Sequence, residues 1–496
     1  MRLSHVSRRG VIRAELNEKA LDDALAALEM ARTWSARVIS KLESHLRSDD
    51  DKPLFRINPL TFAADKNIPE GETIDLFLHA TAVGLFEMSW MLVCPLCSCV
   101  VESFHSLKGV HNHYHCFLCQ AEFEAKLDEF IAVAFTVSPT VRDIVFHHPD
   151  RLSPREYFFD YSGIEDGRLA DGTPFVKVQE SVTKAVSHLP PGETTDMAVE
   201  AAAGSVLGVS HEGGAAFLYN VEGQSSGEDQ RFNIEFGKPV FKYSTRKVAP
   251  GRMTFALRNV NPGRGTFVVA VLPPGLVPGH SRLEFVPFLS GSRLLTTQTF
   301  RDLFRSEVIR ASEGIGVTDV ALLFTDLKGS TALYDRIGDL NAFALVQQHF
   351  DRLQEVSTRH RGAIIKTIGD AVMAAFLAPA DAVSAAIAMR DEIASFNRSQ
   401  PNRELILKIG VHKGAAIAVT LNDRLDYFGQ TVNIAARVQN LADADEIYIS
   451  EDVHEAAGVH AALQGFAVEP HVAKLRGVHQ DLRVLCIAPA AMARAT

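Results

Sequence analysis

Cysteine is scarce in this chain, with six residues in 496, and five of the six fall between Cys94 and Cys119. That scarcity excludes a disulfide scaffold, and the clustering points to a metal site in a reducing compartment. Long apolar runs are missing too. No stretch approaches the ~20 apolar residues that span a bilayer, and a candidate such as Thr266–Leu272 runs straight into Pro273-Pro274-Gly275. The basic start, Met1 to Arg13, is not followed by the apolar core of a secretory signal. There is no excess of positive charge: the formal net charge is −10. This argues against a nucleic-acid binder working through a broad basic face, but not against a nucleotide substrate held at a local site. Together these absences predict a cytoplasmic protein without a transmembrane segment, with peripheral membrane contact through the basic start left open.

What is present is a long chain with 47% hydrophobic residues, enough for two or three packed domains. Residues 1–53 read as a helical segment. One helix is expected from Glu15 to about Arg47, because Leu21, Leu25, Leu28, Val38 and Leu42 keep helical spacing. Ser48 to Pro53 then reads as an exposed break. Residues 54–129 hold the cysteines, as a zinc-ribbon-like module. Residues 130–296 are β-rich, with short strands between glycines and prolines, and predict a sandwich or barrel. Within them Ile131–Val137 reads as a half-buried strand, and Met253–Arg258 with Thr266–Leu272 as a hairpin. Residues 297–316 form a connector, helical from Thr297 to Arg310. From Val317 to about residue 490, strands alternate with helices, as in a sheet with helices over one face.

Three segments of the last domain carry chemistry. In Phe324-Thr325-Asp326-Leu327-Lys328-Gly329-Ser330-Thr331 an apolar strand ends in an aspartate and opens through glycine onto a helix, with Ser330 as the expected N-cap. Such a helix start favours an anion, and the carboxylate can hold a hard cation against it. Ile365-Lys366-Thr367-Ile368-Gly369-Asp370 sets a second carboxylate in a tight turn. If the two strands are neighbours, Asp326 and Asp370 converge, and a pair of divalent ions between carboxylates is the recurrent device for displacement at phosphorus. The competing reading is a hairpin aspartate that accepts backbone hydrogen bonds. In Asp426 to Arg437, Asn433 and Arg437 are four apart on one helix face. They read either as ligand-binding groups or as a structural salt bridge.

These segments, in order and with Gly410-Val411-His412-Lys413-Gly414 between them, resemble the motif set of class III nucleotidyl cyclases over about Val317 to Ile487. The resemblance implies a ferredoxin-like α/β catalytic domain. It implies that Asp326 and Asp370 bind two Mg²⁺ or Mn²⁺ ions, and that Phe324, Leu327, Gly329, Ser330 and Thr331 line the phosphate end. It also implies that Arg437 stabilises the α-phosphate, that Asn433 orients the ribose, and that Lys366 and Asp426 read the base. A Lys/Asp pair fits ATP; family members that use GTP typically carry Glu and Cys there. The family's site lies between two domains, and this chain carries both halves, so a homodimer with two equivalent sites is implied. A basic residue meeting the triphosphate is sought in Lys474-Leu475-Arg476-Gly477, with Arg476 preferred and Lys474 as the alternative. Turnover of GTP, or a regulatory protein with an inhibited cyclase domain, are the competing functions.

Cys94-Pro95-Leu96-Cys97 and Cys116-Phe117-Leu118-Cys119 make a CxxC pair 18 residues apart, the spacing of a closed four-thiolate structural zinc site. Cys99, His105, His111, His113 and His115 are alternative ligands, and a second metal site or a redox switch are the sharper readings. The region before Val317 is expected to be regulatory, answering to a ligand or protein partner that the sequence does not name.

Overall fold

The computed structural model describes residues 16–210, 215–225, 227–237, 242–276, 282–310, 313–399, 405–474 and 481–489. The chain folds as two compact units. The first takes most of residues 1–288; the second takes 106–112, 125–133 and everything from 289 onward.

In the first unit the expected single helix is two, Glu18–Ala31 and Val38–Leu46. The apolar stripe is real, since Leu21, Leu25, Leu28, Val38 and Leu42 are all buried. The break comes from the segment between. Arg32 turns extended, and the Trp34 indole N–H donates to the Leu28 carbonyl at 2.8 Å, satisfying an acceptor that the next helical turn would have used. Two further helices, Pro59–Lys66 and Glu70–Ala82, precede the strand Phe86–Val93. Ile131–Val137 is buried along its whole length rather than on one face.

The β-rich part is a sandwich. A five-stranded sheet (Thr183–Leu189, Gly204–Ser210, Ala215–Val221, Lys242–Val248, Gly265–Leu272) faces a three-stranded one (Thr194–Ala201, Gln230–Phe236, Gly251–Asn259). Phe217 and Phe267 from the first meet Phe255 and Phe236 from the second in one core. Gly251–Asn259 and Gly265–Leu272 are therefore not a hairpin, as the sequence implied: they lie in different sheets. The corner is fixed by Asn259, whose side-chain amide donates to the Leu189 and Gly263 carbonyls while its Oδ1 accepts the Asn261 N–H.

The second unit is an α/β domain whose main elements are β1 (Ile315–Leu327), α1 (Ser330–Ile337), α2 (Asp339–Arg359), β2 (Gly362–Ile368), β3 (Ala371–Phe376), α3 (Pro379–Arg398), β4 (Leu407–Leu421), β5 (Arg424–Phe428), α4 (Gln430–Leu441), β6 (Ile447–Ser450), β7 (Phe466–Ala473) and β8 (Leu482–Pro489). The sheet order is β2-β3-β1-β4-β6-β8-β7, with β5 pairing the far half of β4. Leu345 and Leu353 of α2 and Met389 and Ile393 of α3 pack on Leu323, Ile409 and Val411. Helices cover both faces, not one. α4 lies on the other side, where a Cβ at Gly410 would meet the Gln439 backbone at 2.2 Å. Glycine at 410 thus lets helix and strand approach closely.

The connector is helical only over Gln298–Leu303. Beyond it the backbone is claimed by β4: the Ile309 N–H donates to Thr420 Oγ1 at 2.8 Å, and the Thr420 hydroxyl donates to the Ile309 carbonyl. Two short segments from earlier in the chain also pack in this unit. Asp128 Oδ2 accepts the Thr318 and Asp319 N–H groups, and Glu307 accepts from Ser106 and Leu107.

Candidate active site and a four-cysteine cluster

β1 ends at Leu327 because Gly329 turns left-handed, with φ 73°, and serves as the cap of α1. Ser330 is consequently the first helical residue and makes no cap hydrogen bond, contrary to the sequence expectation. Phe324 and Leu327 are buried. Thr331 is exposed and Ser330 half-buried on the first turn of α1. β1 and β3 are antiparallel neighbours with Thr325 opposite Val372. Asp326 lies one residue and Asp370 two residues beyond that pair, so the two approach one another. Gly369, with φ 64°, makes the turn that delivers Asp370.

Electrostatics report the approach. The Asp326 carboxyl is pushed up, first by burial and then by the charge of Asp370; Lys408, with Nζ 3.9 Å from Asp326 Oδ2, pulls it back. One Asp370 oxygen, Oδ2, is buried with no hydrogen-bond partner among the described residues. A carboxylate in a hairpin that merely satisfied local backbone would not be left so. Two crowded carboxylates with a buried orphan oxygen form a hard-oxygen donor set that fits a divalent cation.

Lys366 and Asp426 meet, with Nζ to Oδ2 at 2.6 Å. Asp426 is buried, and its other oxygen accepts the Tyr427 N–H at 2.8 Å. β2 and β5 are not ladder partners, so this pair bridges two strands that the sheet does not join. Asn433 is exposed and Arg437 half-exposed on one face of α4. Among the described residues neither side chain has a hydrogen-bond or ion-pair partner, so the structural salt bridge is not formed there. Lys474 is described and exposed; Arg476 lies outside the described residues.

Three residues escaped the sequence reading. Lys408 sits across from Asp326 on β4. His349 of α2 is fully buried, with its pKa pushed down to about 4 by burial against the opposing charge of Asp370, and both ring nitrogens lack a partner among the described residues. Arg301, on the connector helix, sends Nη2 to the Leu425 carbonyl at 2.5 Å and to the Ile365 carbonyl at 3.3 Å. Those are the residues immediately before Asp426 and Lys366. Nothing in a lone arginine between Phe300 and Asp302 signals this; only the fold does.

In the first unit the two CxxC turns come together. Cys94 and Cys97 flank a turn after the strand Phe86–Val93; Cys116 and Cys119 flank the turn of the hairpin His113–Cys116 and Ala121–Glu124. Ligand atoms of these four lie within 4.8 Å of one another. Cys94 and Cys119 sulfurs are 3.8 Å apart, and Cys97 and Cys116 sulfurs 3.7 Å. A disulfide would need ~2.05 Å, whereas four sulfurs ~2.3 Å from one central ion stand about 3.8 Å apart. Hydrogen bonding from Cys116, then Cys119 and Cys97, holds the Cys94 thiol well below its ordinary value, while the Cys97 and Cys116 thiols are pushed up by the same neighbours. Four thiolates cannot coexist there without a cation. The cluster contains none of Cys99, His105, His111, His113 or His115.

Residues 21–302 match the family described as "Family of unknown function (DUF5939)", over more than half of the chain. The chain belongs to the DUF5939 family. Residues 315–474 match a second description, "Adenylate and Guanylate cyclase catalytic domain", so this member carries a class III cyclase catalytic domain at its C-terminal side. Adenylate cyclase 1 of Rhizobium meliloti (strain 1021) is 31% identical over 137 residues, which is 25% of this chain and 21% of that protein. Adenylate cyclase of Lachancea kluyveri is 30% identical over 154 residues, 27% of this chain and 8% of that one. Among solved structures, guanylyl cyclase Cya2 is similar at 21% identity and a TM-score of 0.32, covering 36% of this chain and 94% of its own. The chain spans no more than about a quarter of the length of the curated relatives it matches. No described helix is long and apolar enough to cross a membrane.

Proposed function

We propose that this chain is an adenylyl cyclase, converting ATP to 3′,5′-cyclic AMP and pyrophosphate as a homodimer with two equivalent sites. The observation that carries the reading is the Lys366–Asp426 pair, 2.6 Å apart, in a domain that also crowds the carboxylates of Asp326 and Asp370. The ammonium donates to adenine N1 and the carboxylate accepts from the N6 amino group; guanine offers the reverse pattern at those edges. In the absence of a base the two side chains satisfy each other.

Asp326 and Asp370 hold the divalent ions, Mg²⁺ or Mn²⁺. When bound, these supply charge neutralisation on the triphosphate and acidify the ribose hydroxyl. The ribose 3′-oxygen attacks the α-phosphorus; that bond forms as the bond to the bridging oxygen of the β-phosphate breaks, and pyrophosphate departs. Arg437 stabilises charge on the α-phosphate oxygens, a preorganised electrostatic contribution, and Asn433 orients the ribose. Among the described residues neither side chain has a partner, which suits contact with a nucleotide on a second copy. Phe428 and Ile417, opposite each other on β5 and β4, are 63% and 43% exposed, as apolar residues awaiting that copy would be.

The four cysteines are assigned a structural zinc ion, which would fold the two CxxC turns together without an open position for catalysis. The division into a regulatory part (1–296), a connector (297–316) and a catalytic domain (317–490) belongs to the same reading, as does a cytoplasmic location. Purified full-length protein supplied with ATP and Mn²⁺ or Mg²⁺ is expected to make cyclic AMP, and Asp326→Ala and Asp370→Ala to abolish it. Faster turnover of GTP at matched concentration would replace the assignment with guanylyl cyclase. Full activity in both variants would sink the two-metal site.

A further inference from the structure

Sheets of a sandwich bury one face against each other and usually turn the other to water. The five-stranded sheet of the first unit departs from this. Along Gly265–Leu272, Phe267 and Val269 point into the sandwich core, while Val268, Ala270 and Leu272 take the alternate positions on the outer face. Leu207 and Val209 continue that outer apolar face on the neighbouring strand. The helix Phe175–Val182 and the tips of the two CxxC turns cover it, yet they do not close on it. Val176 packs against Val209 and Val268, Phe175 against the cysteine cluster, and Phe175, Val178 and Val182 line the remaining space; no residue of that helix is buried. A cavity of about 180 Å³ remains between them.

Its lining is almost wholly aliphatic and aromatic, with Gln179 and Thr183 as the polar side chains and the sulfurs of Cys97 and Cys119 at one end. Among the described residues no Asp, Glu, Lys, Arg or His lines it. A nucleotide, a phosphate, a free amino acid or a hard cation would lose its hydration there without any compensating charge. Water gains little in such a space, because it needs two to four polar partners. Among the described residues the Gln179 amide makes one long hydrogen bond, 3.5 Å, to the Cys97 carbonyl, which leaves it hydrogen-bonding capacity for an occupant of the cavity it lines. An engineered cavity of ~150 Å³ lined by Leu, Ile and Phe stays dry and binds benzene. A space this small has no room for a peptide segment.

We propose that this cavity is a binding site for a small neutral apolar molecule, a monocyclic or short-chain compound of about seven to ten heavy atoms with at most one polar group directed at Gln179. The occupant would complete the packing of Phe175–Val182 on the sheet and would touch Cys97 and Cys119, joining the covering helix to the four-cysteine cluster. The first unit then acts as a receptor for a chemical class unrelated to the nucleotide. This inference does not depend on the cyclase reading.

The test uses the full chain and three probes: toluene, indole and benzoate. Saturation-transfer NMR and thermal melting are expected to report saturable binding of toluene and indole, with benzoate at least tenfold weaker because its charge finds no partner. Ala270→Leu fills the space from the sheet and is expected to abolish both binding and the ligand-induced rise in Tm, while raising the ligand-free Tm. Val178→Phe fills it from the helix and serves the same purpose if the first variant folds poorly. Absence of saturable toluene and indole binding by the unmodified chain overturns the proposal, as does unchanged affinity in a folded filling variant. Cyclase activity is not the readout, so an inactive catalytic domain would leave this result intact.

Discussion

Arg301 offers the sharpest test of how the catalytic half is assembled. Its guanidinium is drawn below its ordinary pKa by burial and is held by backbone carbonyls. Two of these, at Leu425 and Ile365, belong to the residues that precede Asp426 and Lys366. Since β2 and β5 share no ladder, that guanidinium and the ion contact of Lys366 with Asp426 are the contacts that tie the proposed base-reading pair together. Hydrogen bonds involving a charged group contribute ~1.5–3 kcal/mol each. Part of this is offset by the desolvation that Arg301→Ala relieves, and the side chain is not fully enclosed. A net loss of about 1.5–3 kcal/mol in positioning is expected, which corresponds to a fall of ~10–150-fold in kcat/KM for ATP. The ATP-to-GTP preference should relax in parallel, because a loosened pair discriminates less. Arg301→Lys, which reaches one carbonyl but lacks the planar fork, should fall between. Arg305→Ala, exposed on the same segment, is the control and should behave like the unmodified chain. Steady-state kinetics with both nucleotides, alongside melting curves, read this out. A folded Arg301→Ala protein with unaltered kcat/KM for both nucleotides would refute the argument.

The other expectations can be checked on the same protein. The Asp326 carboxyl is raised by burial and by Asp370, so the folded state without divalent ions holds its proton more tightly than the unfolded chain; its stabilising contribution is present at low pH and is lost as pH rises through the raised value. Asp326→Asn should therefore modestly raise the metal-free Tm at neutral pH while eliminating turnover, and an unchanged or lower Tm would contradict the assignment of the shift. Cys116→Ala should release one equivalent of zinc per chain, measured by elemental analysis, and lower the Tm; full zinc content in the variant would be incompatible with the four-sulfur site. His349→Leu removes two unpartnered buried nitrogens and should raise the Tm, yet also raise the divalent-ion concentration needed for half-maximal activity if the ring helps hold Asp370; a higher Tm with unaltered ion dependence would assign His349 to packing alone. Phe428→Asp should lower the dimer fraction in sedimentation and reduce activity by the same factor, and a monomeric variant with full activity would remove the two-chain site.

What was legible in the sequence follows from the range of the interactions. The turn at Gly329, the turn at Gly369 and the shared helix face of Asn433 and Arg437 are local, set by neighbours within four residues, and the structure has them where the sequence implies. The four-cysteine cluster was legible because CxxC turns carry their own geometry and need only meet. The errors lie where a distant partner overrode a local tendency. Trp34 closes the first helix by binding back to Leu28; Thr420 takes the backbone of Ile309 out of the connector helix; Asn259 turns an apparent hairpin into a crossing between sheets. Arg301 belongs to the same class from the other side. A single arginine in a short helix has no periodic or motif signature, and its meaning appears only when the fold sets two carbonyls from non-adjacent strands beside it. The residues proposed to read the base are thus written in motifs, whereas the residue that ties their two strands together is written in the topology. Substitutions in the connector at Arg301 should therefore change nucleotide choice more than substitutions of comparable size at exposed positions that contact neither β2 nor β5.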